Sequence, residues 1–480
     1  MSTRRAPAQP AGDPGRAGAG NAGDRMSELE TLMWRGEQHP RRSSTTAVLM
    51  MLDAVPGWDR LSATHERLTR LVPRTRMRVL EPAVPVGPPA WVPDPTFALD
   101  YHLRRVSLPA PGGMAELLRF AQSAAMAPFD RTRPLWEATL IEGLPGGRAA
   151  YLLKLHRSIT DGSGGLSLMS RVQRRRAGDS RPSAWWLAAD EFTDQLLAVP
   201  CAAGKMMTAG AQALSHPAAA AASAVRFAGS LRRIAAPSLL PGSPLLRGRT
   251  GTSWRFRVMD CPRADLEAAA ETAGGSADDA SIAALLGGMR RYHERHGIEL
   301  AEMTMTMPVS RRKPDVRTAG HEGSGVTFRA PAGTADPAER IAAIRGITLS
   351  LRAEPALNAR SALVPLLNRV PAAVRAATGR LSIPADMSAA PFPGLPSGIH
   401  LAGTTVERIY PFEPLPGTAV MAAMVPYLGT CHVGMTIDGS VVPDPEVLVE
   451  CMREGLDEVL RLARSGSTSD ARPLVGEEQT

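Results

Sequence analysis

The side chains most able to do chemistry stand together in one polar turn. It contains His156, Arg157, Ser158, Thr160 and Asp161. A neutral imidazole can both accept and release a proton near neutral pH, whereas a guanidinium stays charged and only donates. The turn therefore combines residue types used in acid–base chemistry with one that cannot act as a base.

A short apolar strand is predicted to deliver these side chains. Residues 149–155 are apolar apart from Lys154 and include Tyr151, which favours a strand, and Gly162, Gly164 and Gly165 end the run in a tight turn. A buried strand of this kind can carry polar side chains into a site. A solvated loop with one incidental histidine is the alternative on these residues alone.

The turn resembles the HHxxxDG signature of the wax ester synthase/acyl-CoA:diacylglycerol acyltransferase family, a branch of the CoA-dependent acyltransferases that also includes peptide-synthetase condensation domains. The matching residues are His156, Asp161 and Gly162. Two upstream segments resemble the same family, its PLWE segment and its early aromatic stretch: Arg133-Pro134-Leu135-Trp136-Glu137, and Trp91-Val92-Pro93-Asp94-Pro95 followed by Asp100-Tyr101-His102. Three motifs in the family's order make the resemblance specific, and it extends over about residues 26–465.

The resemblance implies an α/β fold with two chloramphenicol-acetyltransferase-like domains, in which mixed sheets are flanked by helices. It also implies a tunnel at the domain interface, approached by Leu155 to Asp161. In the family, an imidazole takes the proton from a substrate hydroxyl while that oxygen attacks a thioester carbonyl. The catalytic residue is the second histidine of the motif, and Arg157 stands at that position. Arg157 is therefore predicted not to be a base.

His156 is predicted to be a structural histidine. Successive side chains on a strand point to opposite faces, so His156 cannot take its neighbour's place unless the chain bends. Asp161 lies four residues after Arg157, and a helix-like turn would let the two form an ion pair. Such a pair would be structural and not catalytic.

Composition sets broad limits on the function. The chain has 480 residues, 44% hydrophobic and 21% charged, which is ordinary for a globular protein of about two to four domains. Lys+Arg exceed Asp+Glu by 8 (55 minus 47), and nearly all of the basic residues are arginine. This charge is compatible with CoA phosphates or an anionic lipid surface. Aromatic residues make up only 4%, and no nucleic-acid-binding motif accompanies the charge, so nucleic acid is not an expected partner.

The four cysteines indicate neither a metal site nor a disulfide framework. Cys201, Cys261, Cys431 and Cys451 are far apart in the sequence and form no CxxC pair. Free thiols in a reducing cytosol are the simplest account. No metal and no cofactor are expected, with acyl-CoA serving as a co-substrate by family resemblance.

The chain is predicted to contain two folded parts joined by a linker. The predicted boundaries are a disordered leader at 1–25, an N-terminal acyltransferase domain at 26–178, a linker at 179–250, a C-terminal domain at 251–465 and a polar tail at 466–480. Residues 206–225 are uncharged but too weakly apolar to insert as a membrane helix. A plain linker is preferred there over a segment lying on a membrane. The expected location is cytoplasmic, with peripheral contact at the inner face of the cell membrane.

Local patterns predict most of the elements. Helices are predicted over 58–71, 114–126, 263–273 and 281–293, and strands over 47–52, 134–141, 149–155, 254–258, 303–309 and 433–438. The strand 149–155 is expected to pair antiparallel with 134–141, across the turn at 143–147. Trp136 is predicted to be a core residue in preference to a substrate contact.

Three segments of the C-terminal half depart from the family. Asp278-Asp279 stands in place of an Asn-Asp pair, Gly320-His321 in place of a Gly-Asn pair, and Pro391-Phe392-Pro393-Gly394-Leu395 in place of an NVPGP turn.

Three functions follow from the resemblance and the departures. The first is an acyl-CoA-dependent O-acyltransferase of neutral-lipid synthesis, which converts diacylglycerol to triacylglycerol or a fatty alcohol to a wax ester. The second is a catalytically impaired relative that binds acyl-CoA or lipid, favoured by the changes at Arg157, Asp278 and Pro391. The third is a condensation-type acyltransferase that uses carrier-bound acyl groups. It is disfavoured because the PLWE segment and the C-terminal half resemble the lipid branch. A membrane or lipid-droplet surface is a further candidate partner.

Overall fold

The computed structural model describes residues 25–37, 43–82, 87–159, 242–246, 252–309, 324–353, 385–395, 397–415 and 417–469. The strands are β1 (Thr45–Leu52), β2 (Met77–Leu80), β3 (Ala90–Pro93), β4 (Leu103–Ser107), β5 (Trp136–Glu142), β6 (Ala149–His156), β7 (Trp254–Pro262), β8 (Met303–Val309), β9 (Ser324–Ala330), β10 (Met387–Pro391), β11 (His400–Leu401), β12 (Thr404–Phe412), β13 (Val420–Tyr427) and β14 (Thr430–Asp438). The helices are α1 (Glu28–Gly36), α2 (Trp58–Leu71), α3 (Leu99–His102), α4 (Met114–Met126), α5 (Arg263–Thr272), α6 (Ala277–Arg295), α7 (Pro337–Ala353) and α8 (Pro445–Ser469).

The first sheet has six strands in the order β11-β12-β1-β6-β5-β4. Strand β6 pairs antiparallel with both β1 and β5, and β4 pairs parallel with β5, so the sheet is mixed. Every residue of β6 is buried because both faces of the sheet are covered. Tyr151 and Leu153 pack in the cluster that includes α2, whereas Ala150 and Leu152 pack in the cluster that includes α4.

The second sheet also has six strands, in the order β7-β14-β13-β10-β8-β9. Strand β10 pairs parallel with β8 on one side and with β13 on the other. The pairs β8–β9, β13–β14 and β14–β7 are antiparallel. Helices α5, α6, α7 and α8 pack against one face with a large apolar cluster.

Strand β12 joins the two halves of the molecule. It comes from the C-terminal half of the chain but pairs with β1 in the first sheet, with Ala47 opposite Phe412. The Phe412 ring stacks on Phe256 of β7 with the centroids 4.0 Å apart. At Gly434 of β14, an added Cβ atom would lie 1.9 Å from the carbonyl oxygen of Pro411. Glycine is therefore required where β14 crosses β12.

The predicted fold class is confirmed: two mixed sheets are each flanked by helices. The predicted antiparallel pairing of β5 with β6 is confirmed by the register that places Trp136 opposite Leu155. Helix α6 begins earlier than the predicted residue 281, because Ser276 and Asp279 form a capping box at its start. The predicted C-terminal domain begins at residue 251, but its strand β12 pairs with β1 in the first sheet, which was not predicted. The predicted leader, linker and tail lie almost wholly outside the described residues, and the domain limits stay predictions.

Two further predictions concern cysteines and membrane spans. Cys261, Cys431 and Cys451 are buried free thiols, while Cys201 lies outside the described ranges. The thiols of Cys261 and Cys431 share a face, since these residues are directly opposite each other on β7 and β14. None of the helices in the described part of the chain is long and apolar enough to cross a bilayer.

Candidate active site

Strand β6 ends in a turn that carries His156 and Arg157. The Arg157 amide donates to the carbonyl oxygen of Ser44 at 2.9 Å, and the Ile159 amide donates to that of His156 at 2.9 Å. These bonds fix the backbone where the strand stops. Asp161 and Gly162 lie outside the described residues, so the predicted pair between Arg157 and Asp161 stays a prediction.

Arg157 forms an ion pair with Glu413, the residue that follows β12. Its Nη1 lies 3.4 Å from Glu413 Oε2, and the side chains are 26% and 2% exposed. The Thr46 hydroxyl donates to the same carboxylate oxygen at 3.1 Å. The position at which the family resemblance predicts a catalytic histidine therefore holds a guanidinium, which pairs with the residue next to the strand that links the two sheets.

His156 is fully buried and contacts a different carboxylate. Its Nε2 lies 3.1 Å from Oε2 of Glu37. Its Nδ1 accepts from the Ser158 amide at 3.1 Å and lies 2.6 Å from the Ser158 hydroxyl. Burial raises the pKa of Glu37, but contacts with His156, Ser44 and Arg131 outweigh it and hold that pKa below its ordinary value. The imidazole is therefore fully packed, with a polar group close to each ring nitrogen.

The two upstream motifs form one buried aromatic stack beneath β6. Trp136 of the PLWE segment is 3% exposed, which confirms its predicted place in the core. His102 of the early motif stacks on Trp136 at 4.7 Å and its Nδ1 donates to the Trp136 carbonyl oxygen at 2.7 Å. Burial lowers the pKa of His102, which favours the neutral ring. Trp136 and His102 of these motifs therefore pack in the core.

Asp279, the second residue of the Asp278-Asp279 pair, also has a structural role. Asp279 is 2% exposed and accepts from the Ser276 amide and hydroxyl at 2.9 and 2.6 Å. Its other oxygen accepts from the Thr348 hydroxyl at 3.0 Å. Asp279 therefore caps α6 and ties it to α7. Gly320-His321 lies outside the described residues.

An apolar cavity lies between the second sheet and helices α5, α6 and α8. Its free volume is about 20 Å³, which is room for about one water molecule. Its lining includes Met259, Leu285, Ala389, Ala422, Met424 and Met452. Alanines on β10 and β13 leave the space that larger side chains would fill. Pro391, the first residue of the altered NVPGP segment, also borders the cavity.

A polar network missed by the sequence analysis crosses from the second sheet to β12. His432 Nδ1 donates to Asp260 at 2.7 Å, the Tyr410 hydroxyl donates to it at 2.9 Å, and Arg408 lies 3.5 Å away. Burial raises the pKa of Tyr410 to about 12, so its hydroxyl stays a donor. No local pattern could have revealed this network, because its residues come from three separate strands.

Metal binding finds no support in the described ranges. Among those residues, no group of three or more His, Cys, Asp or Glu side chains is placed to hold a metal ion.

The chain is similar to known proteins in both sequence and fold. The family profile described as wax ester synthase/diacylglycerol acyltransferase catalytic domain matches residues 23–281, and the profile described as its C-terminal domain matches residues 320–460. A Mycobacterium tuberculosis protein named as a candidate diacylglycerol O-acyltransferase is 35% identical over 456 residues, with 92% of each chain covered.

Solved structures show the same fold at lower identity. The wax ester synthase/diacylglycerol acyltransferase from Marinobacter aquaeolei VT8 aligns with a TM-score of 0.59 at 18% identity, over 92% of this chain and 100% of that one. The first condensation domain of the CDA synthetase aligns with a TM-score of 0.60 at 16% identity, over 92% and 97%.

Proposed function

The chain belongs to the wax ester synthase/diacylglycerol acyltransferase family, and from this premise we propose that it transfers a fatty acyl group from acyl-CoA to a lipid hydroxyl. The acceptor is diacylglycerol or a long-chain alcohol, and the product is a triacylglycerol or a wax ester. The single observation that carries this choice of substrate is the match of residues 23–281 and 320–460 to the two profiles of the wax ester synthase/diacylglycerol acyltransferase family.

Turnover is proposed to be slow because Arg157 replaces the general base. A guanidinium paired with Glu413 remains protonated and cannot take the acceptor's proton. It can still donate hydrogen bonds to a carbonyl oxygen or a phosphate. The reaction then lacks the contribution of general-base catalysis, which is about a hundred- to ten-thousand-fold.

The proposed reaction needs no cofactor beyond acyl-CoA as the co-substrate. The protein is proposed to work in the cytoplasm, at the inner membrane face or a lipid-droplet surface where neutral-lipid acceptors are found. Release of the protein from membranes by carbonate or high salt tests this peripheral placement, and resistance to both would contradict it.

A second candidate function is lipid or acyl-CoA binding without turnover. The Arg157–Glu413 ion pair favours it, because it fills the catalytic position with a fixed structural contact. Asp278 and Pro391 also replace family residues, and these replacements are compatible with the same loss of turnover. Condensation with carrier-bound acyl groups is less well supported, because both family profiles that match are those of the lipid branch.

The test restores the base. Arg157→His is expected to raise acyl transfer by about a hundredfold or more, because an imidazole at this position can accept the hydroxyl proton. The measurement is product formation from radiolabelled acyl-CoA with diacylglycerol and, separately, with hexadecanol. Arg157→Gln is the matched control, since it removes the charge and supplies no base. It is expected to give no comparable rise.

The remaining outcomes separate the candidate functions. If neither the wild type nor Arg157→His transfers an acyl group, but both retain labelled acyl-CoA on a filter, the binding function replaces the proposal. Transfer only from an acyl group carried on a carrier protein would favour the condensation-type function.

A further inference from the structure

The turn between β13 and β14 places a leucine where the backbone favours glycine or asparagine. Tyr427 and Thr430 are the last paired residues, which leaves a two-residue loop of Leu428 and Gly429. Both have positive φ angles, 48° and 79°. Such tight hairpin loops favour Asn-Gly, because a Cβ atom is strained in the left-handed region.

Burial does not offset this strain. Leu428 is 58% exposed, the largest value among the exposed large hydrophobic residues that the structure describes. A strained and exposed leucine contributes little to folding. Strained backbone of this kind is concentrated at functional positions.

Leu428 extends a larger apolar surface at the same end of the molecule. The segment 391–398 packs along the hairpin, where the Leu395 amide donates to the Pro426 carbonyl oxygen at 3.3 Å. A Cβ atom on Gly398 would lie 3.7 Å from Leu428 Cδ2. Pro393 and Gly394 are exposed and Leu395 is half-buried. The apolar tip consists of Pro393, Gly394, Leu395 and Leu428.

A cationic side chain borders the apolar tip. The Arg263 amide donates to the Gly429 carbonyl oxygen at 2.9 Å, and its guanidinium would lie 3.5 Å from a Cβ atom on Gly394. Its side chain is 50% exposed and pairs with Glu267 at 2.7 Å. Because an exposed pair of this kind is weak, the guanidinium can turn to a phosphate.

The apolar cavity lies near the tip along the same hairpin. Met424 and Val433 line the cavity and stand four and five residues from Leu428. At about 3.3 Å per residue, the lining begins roughly 15 Å from the turn. An apolar tip and a neighbouring cation at one end of the sheet share one suitable partner, a lipid surface with anionic headgroups.

We propose that the apolar tip docks on a phospholipid bilayer containing anionic lipid, with Leu428 entering the boundary between headgroups and acyl chains. Arg263 contacts the lipid phosphates beside it. This places the β13–β14 end of the molecule against the surface that holds a lipid acceptor. The choice of a bilayer as the partner rests on the proposed function. The observation of a strained, exposed leucine is independent of that function.

The test is cosedimentation of the full chain with vesicles of phosphatidylcholine, alone or mixed with phosphatidylglycerol. Leu428→Asn is expected to lower the partition onto mixed vesicles by about tenfold, since the leucine side chain no longer enters the apolar layer. It is also expected to raise the melting temperature, because asparagine tolerates the left-handed backbone. A variant that folds better and binds membrane worse cannot be explained by misfolding.

Two further variants act as controls. Leu349→Gln removes a leucine that is 49% exposed on α7, away from the hairpin sequence, and is expected to leave vesicle binding unchanged. Arg263→Gln is expected to lower binding to mixed vesicles more than to phosphatidylcholine alone.

Several results would overturn the inference. These are no wild-type binding to mixed vesicles, unchanged binding of Leu428→Asn, or an equal loss in Leu349→Gln. Self-association of the wild type that Leu428→Asn abolishes without altering vesicle binding would assign the tip to a protein contact. Vesicle binding needs no acyl transfer, so the two proposals fail separately. Transfer without tip-dependent binding contradicts only this inference, and tip-dependent binding without transfer contradicts only the proposed reaction.

Discussion

At the residue scale, His156 and Arg157 are neighbours in the chain but contact different carboxylates. His156 approaches Glu37, which follows α1, whereas Arg157 approaches Glu413, which follows β12. This separation follows from the alternation of side chains along a strand. Nothing in the described geometry lets His156 move to its neighbour's position without breaking its contacts with Glu37 and Ser158. These contacts support a structural role, and the catalytic assignment at position 157 stays a prediction.

Replacing His156 is expected to reduce stability more than catalysis. His156→Ala empties the space between Trp34 and Phe129 and removes the imidazole beside the Glu37 carboxylate. The expected loss is about 2–4 kcal/mol in the free energy of unfolding, from the cavity and the unmet polar group. Urea unfolding measures it, and acyl transfer is then normalised to the folded fraction.

His156→Gln is the control, because its amide can still donate to Glu37 and should recover part of the stability. Per folded molecule, both variants are expected to transfer acyl groups at the wild-type rate. A stable His156→Gln protein with no transfer would contradict the structural role and make His156 the base.

At the element scale, the Asp260 network connects β7 and β14 to β12. Burial raises the pKa of Asp260, but hydrogen bonds from His432 and Tyr410, together with the charge of Arg408, hold it below the ordinary value of 3.8. A carboxyl whose pKa is lower in the folded state stabilises the fold above its ordinary pKa. That contribution is lost as the pH falls through the folded-state pKa.

Asp260→Asn is therefore expected to flatten the acid dependence of stability. The free energy of unfolding of the wild type should fall between neutral pH and about pH 3 by more than that of the variant. At neutral pH the variant should be less stable by about 1–3 kcal/mol, because His432 and Tyr410 lose a charged acceptor. The exposed Asp457 of α8 provides the control, and Asp457→Asn should keep the wild-type pH dependence. Equal slopes for all three proteins would show that the network does not contribute.

The elements that the sequence predicted are those with local causes. Strands β5 and β6 were predicted because apolar runs and glycines lie next to each other in the chain. The start of α6 was placed too late because its apolar spacing begins at Ile282, while the cap is at Ser276. The partner of Arg157 could not be found from the sequence. Glu413 reaches it only because β12 inserts beside β1, and long-range strand pairing has no local signal.

At the scale of the whole molecule, β12 makes the two sheets depend on each other. It is hydrogen-bonded in the first sheet, yet its side chains pack with Phe256 and contact Asp260 of the second. The Arg157–Glu413 pair stands at the end of the same strand. The candidate site is therefore held by both halves, and loss of either sheet would release Glu413.

This dependence predicts that one methyl group at the crossing of β14 and β12 weakens both sheets. Gly434→Ala would place its Cβ 1.9 Å from the Pro411 carbonyl oxygen, so β12 must move away from β14. Hydrogen exchange of peptides from β6 and from β13 measures the effect in each sheet, and both are expected to lose protection. Gly346→Ala is the matched control, because a Cβ there meets nothing within 4 Å and lies inside α7. It is expected to stabilise that helix by about 0.5–1 kcal/mol. If Gly434→Ala exposes β13 while β6 exchanges as in the wild type, the sheets unfold independently, and β12 does not couple the site to the second half.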